Sequence, residues 1–266
     1  MNLQKHFHVK RFYTYLKFDL RLNGKTYLFY FTGLIIFLFI LAFFTLATAS
    51  NRVDFNESYY SPLGVFLQSL TCVLVSGTSF PALRSHSKSI NYLLLPASIF
   101  EKFLVQFIIR ILVFVSLFLP LYWLSYKCAY GIYDLFSWEN PLKIDSFHLL
   151  SPIDWHKDNI DTLVAVSTVI ALSVFAFTGA AYFKKYALFK SVFVFMLVAL
   201  GYFLFMVCLS HLYYYHKPKE LFDIKLRSYN MIENIKSSDF FIIIQLIGTT
   251  LFLIPMSYFY LKERKV

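Results

Sequence analysis

The residues able to do chemistry are few and scattered. Arg110 is the one clear charge inside a long apolar run, Phe103 to Tyr126. An ion in such a place is a functional candidate by default. It also stands about two helical turns from Lys102, so its long side chain can snorkel towards the nearer surface or close a structural pair. Ser98-Ile99-Phe100-Glu101 has the spacing of a capping box, in which a serine hydroxyl and a glutamate carboxylate satisfy each other's backbone N–H. That spacing places Glu101 near the positive end of a helix dipole, and Asp161 has a similar place at the start of a later apolar run. His86, His148, His156, His211 and His216 form no H-E-x-x-H or other metal spacing. Cys72, Cys128 and Cys208 give no close pair and no disulfide framework. No serine sits in G-x-S-x-G, and G-x-x-x-x-G-K-[ST] is missing. No catalytic, cofactor-binding or metal-ligating set is therefore expected, and the chain does not read as an enzyme.

The elements that position these residues are apolar helices. The chain has 266 residues, of which 58% are hydrophobic, 21% aromatic and only 15% charged. A soluble domain of this size is about 25% charged. The charge is missing from blocks of roughly 20 residues, the length that crosses a bilayer. Six spans are expected: Tyr27 to Thr48, Pro62 to Leu83, Phe103 to Tyr126 with a kink at Pro120, Ile160 to Tyr182, Ser191 to Tyr213, and Phe240 to Leu261. Residues 1–25 read as a cytoplasmic lead-in with no apolar h-region, so no cleavable signal peptide is expected. Within it, Phe12, Leu16 and Leu20 share one helical face and Lys10, Arg11, Lys17, Asp19 and Arg21 fill the others. That is the pattern of a helix lying in the membrane interface, and Asn23-Gly24 is its expected stop. The fold class is thus all-α: one polytopic membrane domain over 1–266, six transmembrane helices preceded by an N-terminal amphipathic interfacial helix. Outer loops fall at 127–159 and 214–239, the latter with the mixed pattern of a surface helix carrying Ile232 and Ile235.

The net charge of +10 is spread over the span ends, not along one stripe, which argues against nucleic acid and for membrane topology. Six Lys and Arg lie in the lead-in and three each in the second-to-third connection, the fourth-to-fifth connection and the tail, fifteen in all; the other side holds nine. This bias puts both termini in the cytoplasm.

The most informative segment is the cytoplasmic connection 84–102. It is too apolar for a plain linker and too short to span. Pro96 interrupts any preceding helix and biases Leu95 towards extended backbone, and the Ser98 cap then opens the third span. The segment reads as a short helix, a break and a sharply started span. It serves either as a docking element that transmits force from a cytoplasmic partner or as an interfacial loop with ordinary capping. The stretch Leu93 to Phe103 resembles the Leu-Pro-x-Ser-x-x-Glu stretch of type-2 ABC exporter permeases, bacterial ones included, where it follows the second span and the coupling helix. The lead-in is similar to that family's connecting helix, and six spans with both ends inside match its layout. Two features depart from the pattern: Lys217 to Ser238 is highly charged, and the Lys127 to Asn159 loop is long.

The resemblance implies a permease subunit of the inner (cytoplasmic) membrane, surrounded by membrane lipid. It would pair with a second permease subunit, as homodimer or heterodimer, and with cytoplasmic ABC ATPase subunits that bind the ATP. The residues carried over are Arg84, His86, Lys88, Asn91, Leu95, Pro96, Ser98 and Glu101, with roles in partner contact and relay. An ion-coupled carrier would place more charges at mid-membrane, and an intramembrane enzyme would need a nucleophile–base pair or metal ligands within the spans. The alternative that shares most of these features is a non-catalytic polytopic assembly or sensory membrane protein.

Overall fold

The computed structural model describes residues 7–49, 57–84, 89, 90, 92, 94–135, 159–183, 185–213, 230–232 and 235–263. Among them the fold is all-helical apart from one minimal antiparallel pair. The helices are α1 (Val9–Ala49), α2 (Glu57–Gly77), α3 (Ile99–Leu135), α4 (Asn159–Tyr182), α5 (Ala187–Tyr213) and α6 (Ser237–Glu263). Five stretches, in α1, α3, α4, α5 and α6, are long and apolar enough to cross a membrane. In α2 the apolar part, Pro62–Gly77, is shorter.

Four boundaries differ from the sequence expectation. Asn23-Gly24 does not stop the first helix: α1 runs unbroken for 41 residues, about 61 Å of helix at about 1.5 Å per residue. Asn23 Nδ2 donates to Asp19 Oδ1 one turn back (2.9 Å), so its amide runs along the helix instead of capping it. The lead-in and the first span are therefore one element. The second helix ends at Gly77, six residues before Leu83; Pro81 disfavours helical backbone at Phe80, and a 3-10 turn, Pro81–Arg84, follows. The third helix continues through Pro120 to Leu135, well past Tyr126, and it departs from α geometry upstream, in a π segment at Ile108–Val113. In the last connection, β1 (Asn230–Ile232) pairs antiparallel with β2 (Ile235–Lys236) where a surface helix was expected; the β-branched Ile232 and Ile235 suit strand better.

Two apolar clusters hold the helices together. One joins the first half of α3 (Phe103, Val105, Ile109) to α4 (Val174, Phe177, Ala181), the turn after α2 (Phe80, Leu83), α1 (Tyr15) and α6 (Leu261). The other joins the second half of α1 (Leu38, Ala42, Leu46) to α3 (Phe118, Tyr122, Tyr126, Ala129) and to Leu67 of α2. In the second cluster the rings of Phe118, Tyr122 and Tyr126 follow one another at 5.7 and 4.9 Å, and the Tyr126 hydroxyl reaches Thr45 Oγ1 of α1 at 3.0 Å. Helix α5 packs on α4 through a close approach at Gly179, while Phe193, Met196, Leu200 and Phe203 stay exposed. A helix apolar all round suits lipid contact on its free sides.

Candidate functional site

The described polar side chains concentrate where α1, the end of α2 and the start of α3 meet. The end of α2 sets the geometry. A helix terminus leaves four carbonyls without intrahelical donors. Here two guanidiniums answer them: Arg110 Nη1 donates to Val75 O (3.2 Å), and Arg84 Nη2 donates to Gly77 O (3.0 Å) and more weakly to Ser79 O (3.4 Å). Cations also suit the negative end of the helix dipole. Phe80 follows with φ 54°, a left-handed conformation costing about 1–3 kcal/mol for a non-glycine residue. Its ring is buried against Phe177 at 5.1 Å, which offsets that strain.

Beyond the turn, the described residues 89, 90, 92 and 94 are helical, and the chain then breaks at 95–97. Ala97 N donates to Leu95 O (2.7 Å) across the break. Leu95 is half-buried on the core, whereas Leu94 and Pro96 are exposed. Lys102 anchors the stretch: it is 2% exposed, its Nζ donates to Tyr92 O (2.7 Å), and it lies 5.1 Å from the Tyr92 ring centre. Burial pushes the Tyr92 phenol well above its ordinary range, so that hydroxyl stays protonated.

The capping box at the start of α3 is present as the sequence predicts. Ser98 has extended backbone; Glu101 N donates to Ser98 Oγ (3.1 Å) and Ser98 N to Glu101 Oε2 (2.9 Å). The carboxylate does more than the motif requires. Its Oε1 also accepts from His8 N (2.9 Å) and pairs with Arg11 Nη2 (3.2 Å). One fully buried carboxylate thus serves the N-termini of two helices, α1 and α3. It has no surface left to offer a partner directly.

Arg110 does not snorkel. It is 1% exposed and sits in the π segment, whose irregular backbone often marks functional positions. Besides Val75 O, Nη1 donates to Thr78 Oγ1 (2.7 Å), Nε donates to Gln106 Oε1 (3.1 Å), and the group lies 5.4 Å from the Tyr27 ring centre. Gln106 turns its other end to α1, with Nε2 donating to Asp19 Oδ1 (3.1 Å). Asp19 is 4% exposed and accepts also from Asn23 and from the Tyr27 hydroxyl (2.7 Å), so it is no part of a solvated face. The chain Asp19–Gln106–Arg110–Thr78 ties α1, α3 and the end of α2 through buried polar contacts. Arg110 is in this sense a structural pair, made through an intervening amide.

Arg84, Leu95, Pro96, Ser98, Glu101 and Arg110 all lie in or beside this junction; His86, Lys88 and Asn91 lie outside the described residues. Asp19, Gln106, Lys102 and Thr78 were missed. Part of the signal was available: Asp19, Asn23 and Tyr27 recur at i, i+4, i+8, and Gln106 and Arg110 at i, i+4. The side chain of Asp161 is outside the described residues. Among the described residues no three His, Cys, Asp or Glu converge as a metal site. No protein-family model matches the chain, and no curated protein or solved structure matches it.

Proposed function

We propose that the chain is the membrane-spanning permease subunit of an ATP-driven exporter of the type-2 ABC kind, with ATP hydrolysed on a separate cytoplasmic subunit. One observation carries the reading: after α2 breaks, a short helical stretch exposes Leu94 and is anchored by Lys102 to a sharply capped α3. A partner pressing on that stretch moves α3 through Lys102 and α1 through Glu101. The buried junction makes such a push collective, because Asp19, Gln106 and Arg110 resist separate motion of the three helices.

The layout adds support. Helix α2, counted over its full 21 residues, is about 31 Å long and serves as the sixth span. The distribution of Lys and Arg favours both termini in the cytoplasm and the break after α2 on that side of the inner membrane. A second permease subunit then supplies the other half of the pathway. The N-terminal part of α1, with Val9, Tyr13, Leu20 and Leu22 exposed, belongs at the lipid boundary.

The test is capture of the tagged full-length chain from its native membranes in mild detergent. An ATPase carrying a phosphate-binding loop co-purifies, and Leu94→Asp abolishes the capture while leaving helicity and monodispersity intact. Capture without any ATPase, or an ATPase held equally well by Leu94→Asp, sinks the permease reading and favours the assembly or sensory alternative.

A further inference from the structure

Between the N-terminal half of α1 and the segment after α2 lie two adjoining cavities. One, of about 620 Å³, is lined at its outer end by His8, Lys10 and Arg11. The other, of about 550 Å³, continues past Leu22 to Thr26 and Pro81. They share walls at Tyr15, Phe18 and Leu95, so they form one groove. From Lys10 to Thr26 the helix covers about 24 Å, more than the ~15 Å of acyl layer in one leaflet.

The groove is electrostatically polarised. Its outer end has two cations and no acid in its lining. The nearby carboxylate, Glu101, is fully buried and already accepts from Ser98 N, His8 N and Arg11. Arg11 gives one Nη to that pair and remains 43% exposed, with further N–H donors to offer. The inner end is lined by the apolar Leu22, Phe80, Pro81 and Ala82, with Thr26, Tyr92 and Asp19, whose partners Asn23 and Gln106 are turned to it. Two apolar residues of the groove wall itself, Phe18 and Leu22, are exposed, so the groove opens outward with apolar surface to cover.

We infer that this groove binds one anionic phospholipid, with the phosphate held at Lys10 and Arg11 and an acyl chain laid along Phe18 and Leu22. The headgroup meets the cationic end, the chain covers apolar surface that water would otherwise wet, and no buried donor is displaced. The inference stands apart from the permease reading, since it needs only that the chain lies in a bilayer.

Native mass spectrometry of the detergent-purified full chain tests it, with phosphatidylglycerol against phosphatidylcholine of the same acyl composition. One phosphatidylglycerol per chain is retained in preference. Lys10→Gln weakens retention about fivefold, the worth of one basic residue at an anionic headgroup. Lys17→Gln, an exposed cation on α1 outside the groove, leaves retention unchanged. Leu22→Asp, a charge in the path of the acyl chain, lowers retention at least as much as Lys10→Gln. Lys10 and Leu22 are exposed, so both variants fold, and circular dichroism checks this. Equal retention of the two lipids, or equal effects of Lys10→Gln and Lys17→Gln, overturns the site in favour of diffuse surface attraction. Indifference to Leu22→Asp overturns it in favour of a phosphate contact without a chain.

Discussion

Replacing Arg110 by Met keeps the length of the side chain and removes its charge. The cost follows from the contacts that Arg110 makes. Three hydrogen bonds vanish, to Val75 O, Thr78 Oγ1 and Gln106 Oε1, and the contact with the Tyr27 ring goes with them. Each bond from a charged donor is worth about 1.5–3 kcal/mol before the acceptors find other partners. Asp19 suffers more: it stays 4% exposed but loses the positive charge beyond Gln106. Breaking a buried charge pair from one side costs about 3–5 kcal/mol, so Arg110→Met is expected to lose that much. Asp19→Asn alone leaves the guanidinium without its counter-charge and falls in the same range. The double variant removes both charges, and its loss should be smaller than the sum of the singles by about 2 kcal/mol or more. Unfolding by SDS titration in mixed micelles, followed by circular dichroism, reads all four corners of the cycle. Additive losses would refute the buried relay. Losses below about 0.5 kcal/mol for Arg110→Met would return Arg110 to the surface, where such changes are near neutral.

The remaining predictions concern the same junction and one helix pair. Ser98→Ala should cost about 1 kcal/mol in the same titration, because Glu101 N loses its acceptor, and Ser98→Asp should restore most of it. Glu101→Gln keeps the shape of the cap but weakens its hold on His8 N and Arg11; hydrogen exchange should then rise over residues 8–14 and stay unchanged in the second half of α1. Gly179→Ala should destabilise by about 1–3 kcal/mol, since a Cβ there runs into Ser191 Oγ and lies 2.8 Å from Ser191 Cβ; Ser191→Gly should recover part of the loss. Gly201→Ala, with nothing within 4 Å of the added Cβ, should be neutral or slightly stabilising.

The spans were legible because they are local. A run of apolar residues needs no partner to be recognised, and α4, α5 and α6 end within a few residues of the positions read from sequence. The Ser98 cap was legible for the same reason: both partners sit in one turn. The junction was not, because its decisive contacts join residues far apart in the chain. Gln106 meets Asp19 across 87 positions and His8 meets Glu101 across 93. Periodicity places Asp19 on a face of α1 but does not say that the face is covered. Asn23-Gly24 misled for a related reason, since the amide that would cap a helix end is taken by Asp19 and the helix runs on. The π segment left no mark beyond Arg110 itself; the residues around it, Ile108, Ile109, Ile111, Leu112 and Val113, read as ordinary apolar helix.

The cations of this junction do two kinds of work that the sequence alone runs together. Arg84, Lys102 and Arg110 all lie near the α2–α3 connection, where they read simply as topology signals or a stray intramembrane charge. In the structure each donates to carbonyl oxygens: Arg84 to Gly77 and Ser79, Lys102 to Tyr92, Arg110 to Val75. A carbonyl carries no net charge, so these bonds satisfy the helix ends without neutralising the cations. Once α2 has stopped at Gly77 its free carbonyls form the negative end of a dipole in a place with little water. A guanidinium costs least where such oxygens are already fixed and waiting. That is why, in a chain with so few charges, two arginines converge on the end of one helix, and why the carboxylate that balances Arg110 can stand off behind Gln106.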